Sequence, residues 1–198
     1  ASEYRVDCVD KMSASQVKQA QALADAWLKK HPPKVAVRKP KANAKPVSPA
    51  ERIAAEVRDK LGKPAGAKLT PADWTKVTVL HLNTLNTQKL RDLSPLSQCT
   101  GLRELDVGSN GLADLAPLAG LTNLEIFMGY QNRIADLTPL AKSTRLRDLR
   151  LSLNPPLKTL QPLANLTRLE VLELQGCAVA DLAPLARHTQ LRRLVLTS

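Results

Sequence analysis

Residues 102–123 read LRELDVGSNGLADLAPLAGLTN, and the chain carries six copies of that phrase, the last one partial, between Val77 and Ser198. Aligned on their first apolar residue, the copies begin at Val77, Leu102, Leu124, Leu146, Leu169 and Leu191, at intervals of 25, 22, 22, 23 and 22 residues. A fixed period of this length marks a solenoid: one coil cannot bury its apolar side alone and stacks on its neighbours. Such an array presents an extended surface, which points towards recognition and away from catalysis.

The columns within the repeat carry the detail. Three residues after the first apolar position come Leu80, Leu105, Phe127, Leu149, Leu172 and Leu194. Two further on are Leu82, Val107, Gly129, Leu151, Leu174 and Leu196. A spacing of two puts both columns on one face of a strand, pointing into the coil. Later in each phrase, Leu93, Leu115, Leu137, Leu160 and Leu182 each precede a proline by two residues. Proline fixes φ and lacks an N–H, which suits a short convex turn better than a second sheet.

With Asn, Asp, Pro and Thr recurring in register with the leucines, the phrase LxxLxLxxNxI/LxDLxPLxxLTN resembles the leucine-rich repeat of bacterial internalins and of the eukaryotic phosphatase-regulator class, over residues 77–198. The resemblance implies an asparagine ladder capping the turn after the strand, and Asn110, Asn132 and Asn154 occupy that column. An amide donates and accepts at once, so it can satisfy buried turn backbone. Cys177 stands in the same column, as the wider repeat class allows. Gly129 departs from the pattern where an inward leucine is expected, and Phe127 is the side chain available to fill the space. Extra residues fall around Thr84–Gln88 and at Asn154-Pro155-Pro156.

Upstream, Ser48-Pro49-Ala50-Glu51 reads as a capping box with proline at the first helical position. Ile53, Ala54, Val57 and Leu61 follow at helical spacing, and Gly62 offers a stop. Thr70-Pro71-Ala72-Asp73 repeats the start signal, with Trp74 placed to cover the first coil. This stretch resembles the helical lead-in of secreted bacterial leucine-rich-repeat proteins. The expected fold is therefore an α/β solenoid: a leucine-rich-repeat horseshoe segment with a parallel concave β-sheet, short convex 3₁₀ turns and an α-helical N-terminal cap. The expected organisation is an N-terminal helix over 1–31, a basic Pro/Lys-rich linker over 32–47, a cap over 48–76, and repeats over 77–198.

The net charge of +11 is uneven. Residues 1–69 hold 15 Lys/Arg against 7 Asp/Glu, whereas residues 70–198 hold 14 against 11. Lys29–Lys45 is the densest basic run, with seven cations and no acidic residue. It reads as a solvated linker or as an arm for an anionic surface or nucleic acid. No aromatic residue interleaves it to stack bases, which argues against nucleic acid. No apolar run approaches a membrane span. The start, Ala1-Ser2-Glu3, suits a mature chain after signal removal and equally a trimmed one, so a secreted or periplasmic location is an expectation.

Catalytic chemistry finds little support. Cys99 and Cys177 fall in repeat columns expected inside the coil, which leaves Cys8, for which a bridge to Cys99 in an oxidising compartment stays open. His31, His81 and His188 fall in the linker, outward on the first strand, and in a packed turn column. No phosphate loop, metal-ligand spacing or nucleophile elbow appears, so the chain is expected to be no enzyme and to carry no metal or cofactor.

The outward strand positions define a candidate binding face. The coil begun by Leu124 presents Ile126, Met128 and Tyr130 together, with Asp106, Asp148, Arg150, Glu173 and His81 around them. An apolar, aromatic centre ringed by charge is the anatomy of a protein–protein hot spot. At the far end, Leu191–Leu196 forms one more strand without a capping helix, so self-association through that edge is a further expectation. Two functions follow: protein recognition on the concave face, adhesin-like or toxin-neutralising, or an envelope scaffold tethered by segment 29–45.

Overall fold

The computed structural model describes residues 48–83 and 89–196. The readings that fall on 1–47 (the first helix, the basic linker and the Cys8 bridge) lie outside the described residues, as does the insertion at Thr84–Gln88. Among the described residues, two helices, α1 (Pro49–Lys60) and α2 (Pro71–Lys76), precede six strands. These are β1 (Val79–His81), β2 (Glu104–Asp106), β3 (Ile126–Met128), β4 (Asp148–Arg150), β5 (Val171–Glu173) and β6 (Arg193–Val195). One 3₁₀ segment separates each pair: η1 (Ser94–Gln98), η2 (Ala116–Leu118), η3 (Thr138–Leu140), η4 (Gln161–Leu163) and η5 (Ala183–Leu185).

The strands form one parallel sheet in chain order, and each pairs with the next in the register of the repeat. Leu80 lies beside Leu105, Leu105 beside Phe127, Phe127 beside Leu149, Leu149 beside Leu172, and Leu172 beside Leu194. The expected leucine-rich-repeat solenoid is what the chain forms. Both inward columns are buried from the first coil to the fifth. Gly129 keeps the core closed because Phe127 fills its place: a Cβ there would lie 2.9 Å from the Phe127 ring and 3.0 Å from Ile134 Cδ1. In the sixth coil Leu194 and Leu196, inward by pattern, are 39% and 42% exposed.

The asparagine column forms the ladder that the repeat implied. Asn110 Oδ1 accepts from the Leu90 N–H at 2.8 Å, Asn132 Oδ1 from Leu112 at 2.9 Å, and Asn154 Oδ1 from Ile134 at 2.9 Å. Their amide nitrogens donate back to carbonyls of the coil before: Leu82, Val107 and Gly129 respectively. Cys177 is half-buried, so the expected interior position is met only partly; its thiol donates to the Leu151 carbonyl at 3.2 Å. The residue before each ladder position takes a positive φ, and in the fourth coil it is Leu153 (φ 62°), a bulky side chain in a region that favours glycine.

Each convex turn opens on an aspartate-type cap. Asp92, Asp114, Asp136 and Asp181 accept from the backbone N–H two residues on, at 2.7–2.8 Å, and Thr159 does so at 3.2 Å. The Ser94 and Thr138 hydroxyls hold the carboxyls of Asp92 and Asp136 below their ordinary range.

The cap corrects one expectation. Ser48 Oγ accepts from the Glu51 N–H at 3.2 Å, but the Glu51 carboxylate does not return to Ser48; it pairs with Arg58 at 2.7 Å. The reciprocal box lies at the second helix, where Asp73 accepts from the Thr70 N–H at 2.8 Å and hydroxyl at 2.9 Å. Lys63 reaches the same oxygen at 2.7 Å. Ile53, Val57 and Trp74 are buried, and α1 contacts β1 and η1 while α2 contacts η1.

The Lys63 hydrogen bond first, then those from Thr70, hold the Asp73 carboxyl far below the usual carboxylate range. Its stabilising effect is therefore complete above an unfolded pKa of about 4 and is withdrawn as pH falls towards the depressed folded value. Asp73→Asn is expected to melt below wild type at pH 7, with the gap narrowing steadily from pH 5 to pH 2. A gap that stays constant across that range would show that Asp73 acts without its charge.

Candidate binding face

Side chains from alternate strand positions leave the sheet on its concave side in three rows, because successive residues of a strand point to opposite faces. Val79, Glu104, Ile126, Asp148, Val171 and Arg193 form the first row, adjacent in register from strand to strand. His81, Asp106, Met128, Arg150, Glu173 and Val195 form the second. The third follows the strand ends at Asn83, Gly108, Tyr130, Ser152 and Gln175.

The structure places all eight sequence-predicted residues on this side, but in different states. Ile126, Met128 and Tyr130 are half-buried on neighbouring positions of β3 and its end. Asp148 and Arg150 are paired side by side on β4, with Arg150 Nε and Nη2 donating to the two carboxylate oxygens at 3.0 and 2.9 Å. Glu173 meets Arg193 at 3.2 Å, and His81 meets Glu104 at 2.9 Å. Asp106 is the exception to the expected ring of exposed charge: it is 6% exposed.

Tyr130 explains that burial. Its ring lies against Gly108, just past the end of β2, where a Cβ would overlap the ring carbons. The hydroxyl reaches 3.4 Å from Asn83 Nδ2, and Asn83 donates to Asp106 Oδ2 at 2.6 Å. Asp106 Oδ1 accepts from the Gly108 N–H at 2.9 Å. Burial raises the Asp106 carboxyl above its ordinary pKa, against the hydrogen bond from Gly108 and the proximity of His81, which lower it. Gly108 and Asn83 were not among the candidates, yet the signal was present: a glycine one coil before a tyrosine in the same column makes room for the ring.

A cleft of about 560 Å³ opens beside this corner, walled by Arg52, Ala55, Glu56 and Asp59 of α1 and by His81, Leu82 and Asn83. A second row of charge runs along the edge where the strands begin: Arg103 pairs with Glu125 at 2.7 Å and Arg147 with Glu170 at 2.6 Å.

His188 is buried in its turn column, with Nε2 3.1 Å from the Leu163 carbonyl. Burial pushes the Cys99 thiol up to about 12 and raises Cys177 as well, so neither supplies thiolate at neutral pH. Among the described residues, no group of three or more His, Cys, Asp and Glu side chains could hold a metal ion. No described helix is long and apolar enough to cross a membrane.

No family model matches the chain, and no curated protein matches its sequence. Solved structures do. An internalin of Listeria monocytogenes, InlF, superposes with a TM-score of 0.66 and 26% identity, over 79% of this chain and 47% of that one. The functional domain of InlJ from the same organism gives a TM-score of 0.51 and 24% identity, over 74% and 36% of the two chains. The chain thus spans about half the length of the InlF structure it matches. The repeat register, the parallel sheet and these neighbours agree: the chain forms a leucine-rich-repeat solenoid similar in fold to these internalins.

Proposed function

We propose that this chain is a non-enzymatic recognition module that holds a protein partner against its concave sheet, as an exported bacterial binding protein of adhesin-like or toxin-neutralising type. One observation carries the reading. The outward apolar trio Ile126, Met128 and Tyr130 is grouped at the centre of the face, while the charges beside it on β4 are already paired with each other. A partner covering that centre would bury apolar surface without stripping water from unpaired charges on that flank, which is where interface energy concentrates.

Affinity capture from lysate and envelope fractions of the source organism, read by mass spectrometry, would supply the partner. With it in hand, Met128→Ala combined with Tyr130→Ala should weaken binding by more than about tenfold, the loss typical of two hot-spot truncations. The circular-dichroism melt should move little, because both side chains lie outside the coil interior. An unchanged affinity would remove this face from consideration.

The charge asymmetry supports a second reading, an envelope scaffold tethered to an anionic surface through segment 29–45. Salt-sensitive association that disappears on deleting residues 29–47, and survives the face substitutions, would favour it.

A further inference from the structure

We propose that the corner of the face nearest the cap recognises a cationic side chain, arginine or lysine, carried on an extended partner segment beside an apolar residue of that segment. This rests on the concave-face reading above and specifies its partner. The observation is a local reversal of charge. Glu56 and Asp59 line the cleft from α1, Glu104 stands on β2 with its side chain 29% exposed, and Asp106, 6% exposed, follows two residues along the same strand. Against these four carboxylates stand Arg52 in the cleft wall and Lys60, 3.8 Å from Glu56. The corner is thus negative on a chain whose net charge is +11.

The remainder of the sheet does not share this shortage of cations. Asp148 has Arg150 and Glu173 has Arg193, each within 3.2 Å. The two strand carboxylates near the cap instead have neutral or weakly basic partners: His81 for Glu104, and an asparagine amide and a backbone N–H for Asp106. Two ionised oxygens offer about four acceptor positions. Asp106 uses one on each oxygen.

An incoming guanidinium or ammonium could approach Glu104 and lie against the Tyr130 ring, an arrangement favoured by the ring quadrupole. It would also relieve the desolvated charge of Asp106. Ile126 and Met128, next to Glu104 and Asp106 in the sheet register, supply the apolar contact. An acidic segment at the same place would meet like charge, so the corner discriminates by repulsion as well as attraction.

The test uses the full chain and two pools of short peptides with random apolar positions, one with a fixed central arginine and one with glutamate there. Wild type should retain the arginine pool at least about tenfold better than the glutamate pool. Glu104→Gln, and separately Glu104→Gln with Asp106→Asn, should cut that preference below about threefold while the melt of the single variant stays unchanged. Every variant keeps segment 29–45, so any pull it exerts on glutamate peptides cancels in the comparison.

Preference for glutamate, or a preference for arginine untouched by Glu104→Gln, would overturn the inference. Binding that needs Met128 and Tyr130 but shows no arginine preference would sink this inference alone. Binding indifferent to those two residues would sink the concave-face reading with it.

Discussion

Asn132→Leu should lower the stability of the solenoid by about 4 kcal/mol, since an unsatisfied buried polar group costs about 1–3 kcal/mol and two backbone donors lose their acceptor at once. Asn132 Oδ1 accepts from the N–H of Leu112 at 2.9 Å and of Asn110 at 3.1 Å. The carbonyls that its amide serves lose less. Val107 O also receives Asn110 Nδ2, and Gly129 O also receives Asn154 Nδ2. The damage therefore falls on the donors, in the interior between two coils where water cannot replace the lost oxygen. Leucine also lacks the shape of a planar amide. Asn123 provides the control: its amide makes one bond, to the Thr100 carbonyl at 2.9 Å, at an exposed site. Asn123→Leu should cost less than about 1 kcal/mol. Equal losses for the two substitutions, by chemical or thermal melt, would mean the ladder carries no special share of the stability.

Gly101→Ala should be nearly as damaging, by a different route. A Cβ at this position would overlap the Thr75 carbonyl oxygen and crowd its carbon at 3.3 Å. The obstacle is backbone of α2 and its end, so no side-chain rotation relieves it. Either α2 lifts from the first coil or the turn after η1 moves. Overpacking of this kind costs about 1–3 kcal/mol, and the upper end is expected where backbone must shift. Lifting α2 would expose Trp74, now 8% exposed, and the apolar end of the array. The expected signature is a lower melting temperature together with faster proteolysis in the stretch 60–78. Full retention of both would show that the cap is not seated on Gly101. The other coils hold Asn123, Arg145, Arg168 and Gln190 at the same place, so glycine is needed only where the cap sits.

The repeat made most of the architecture legible, since a column of leucines at fixed spacing admits few arrangements other than stacked coils. Phe127 filling the place of Gly129, and the cap buried through Trp74, follow the same logic. What the sequence concealed depends on neighbours across coils. Glu51 had the right spacing for a capping box, but Arg58 competes for its carboxylate at 2.7 Å. Asp106 reads as a surface charge until the Tyr130 ring is found lying towards it over Gly108. Cys177 is another case. Where Leu112 and Ile134 take their acceptor from the next coil's asparagine, Leu157 takes it from the Asn154 carbonyl at 3.0 Å, because Pro155-Pro156 lengthens that turn. The following coil then needs only a donor at the ladder position, and a thiol is enough. The candidate face itself was readable as rows of residues, whereas its pairing pattern was not, because ion pairs are decided by side-chain reach.

The charges at the start of the strands alternate from coil to coil: Arg103, Glu125, Arg147, Glu170, Arg192. Each exposed pair is worth only about 0.2–1 kcal/mol, but its sign reverses if like charges become neighbours. Excising residues 124–145 would set Arg103 beside Arg147, whereas excising 124–168 would set Arg103 beside Glu170 and keep the alternation. Although the fold counts coils singly, electrostatics along this edge counts them in twos. An array lengthened or shortened by duplication and loss would keep its edge matched only in steps of two coils.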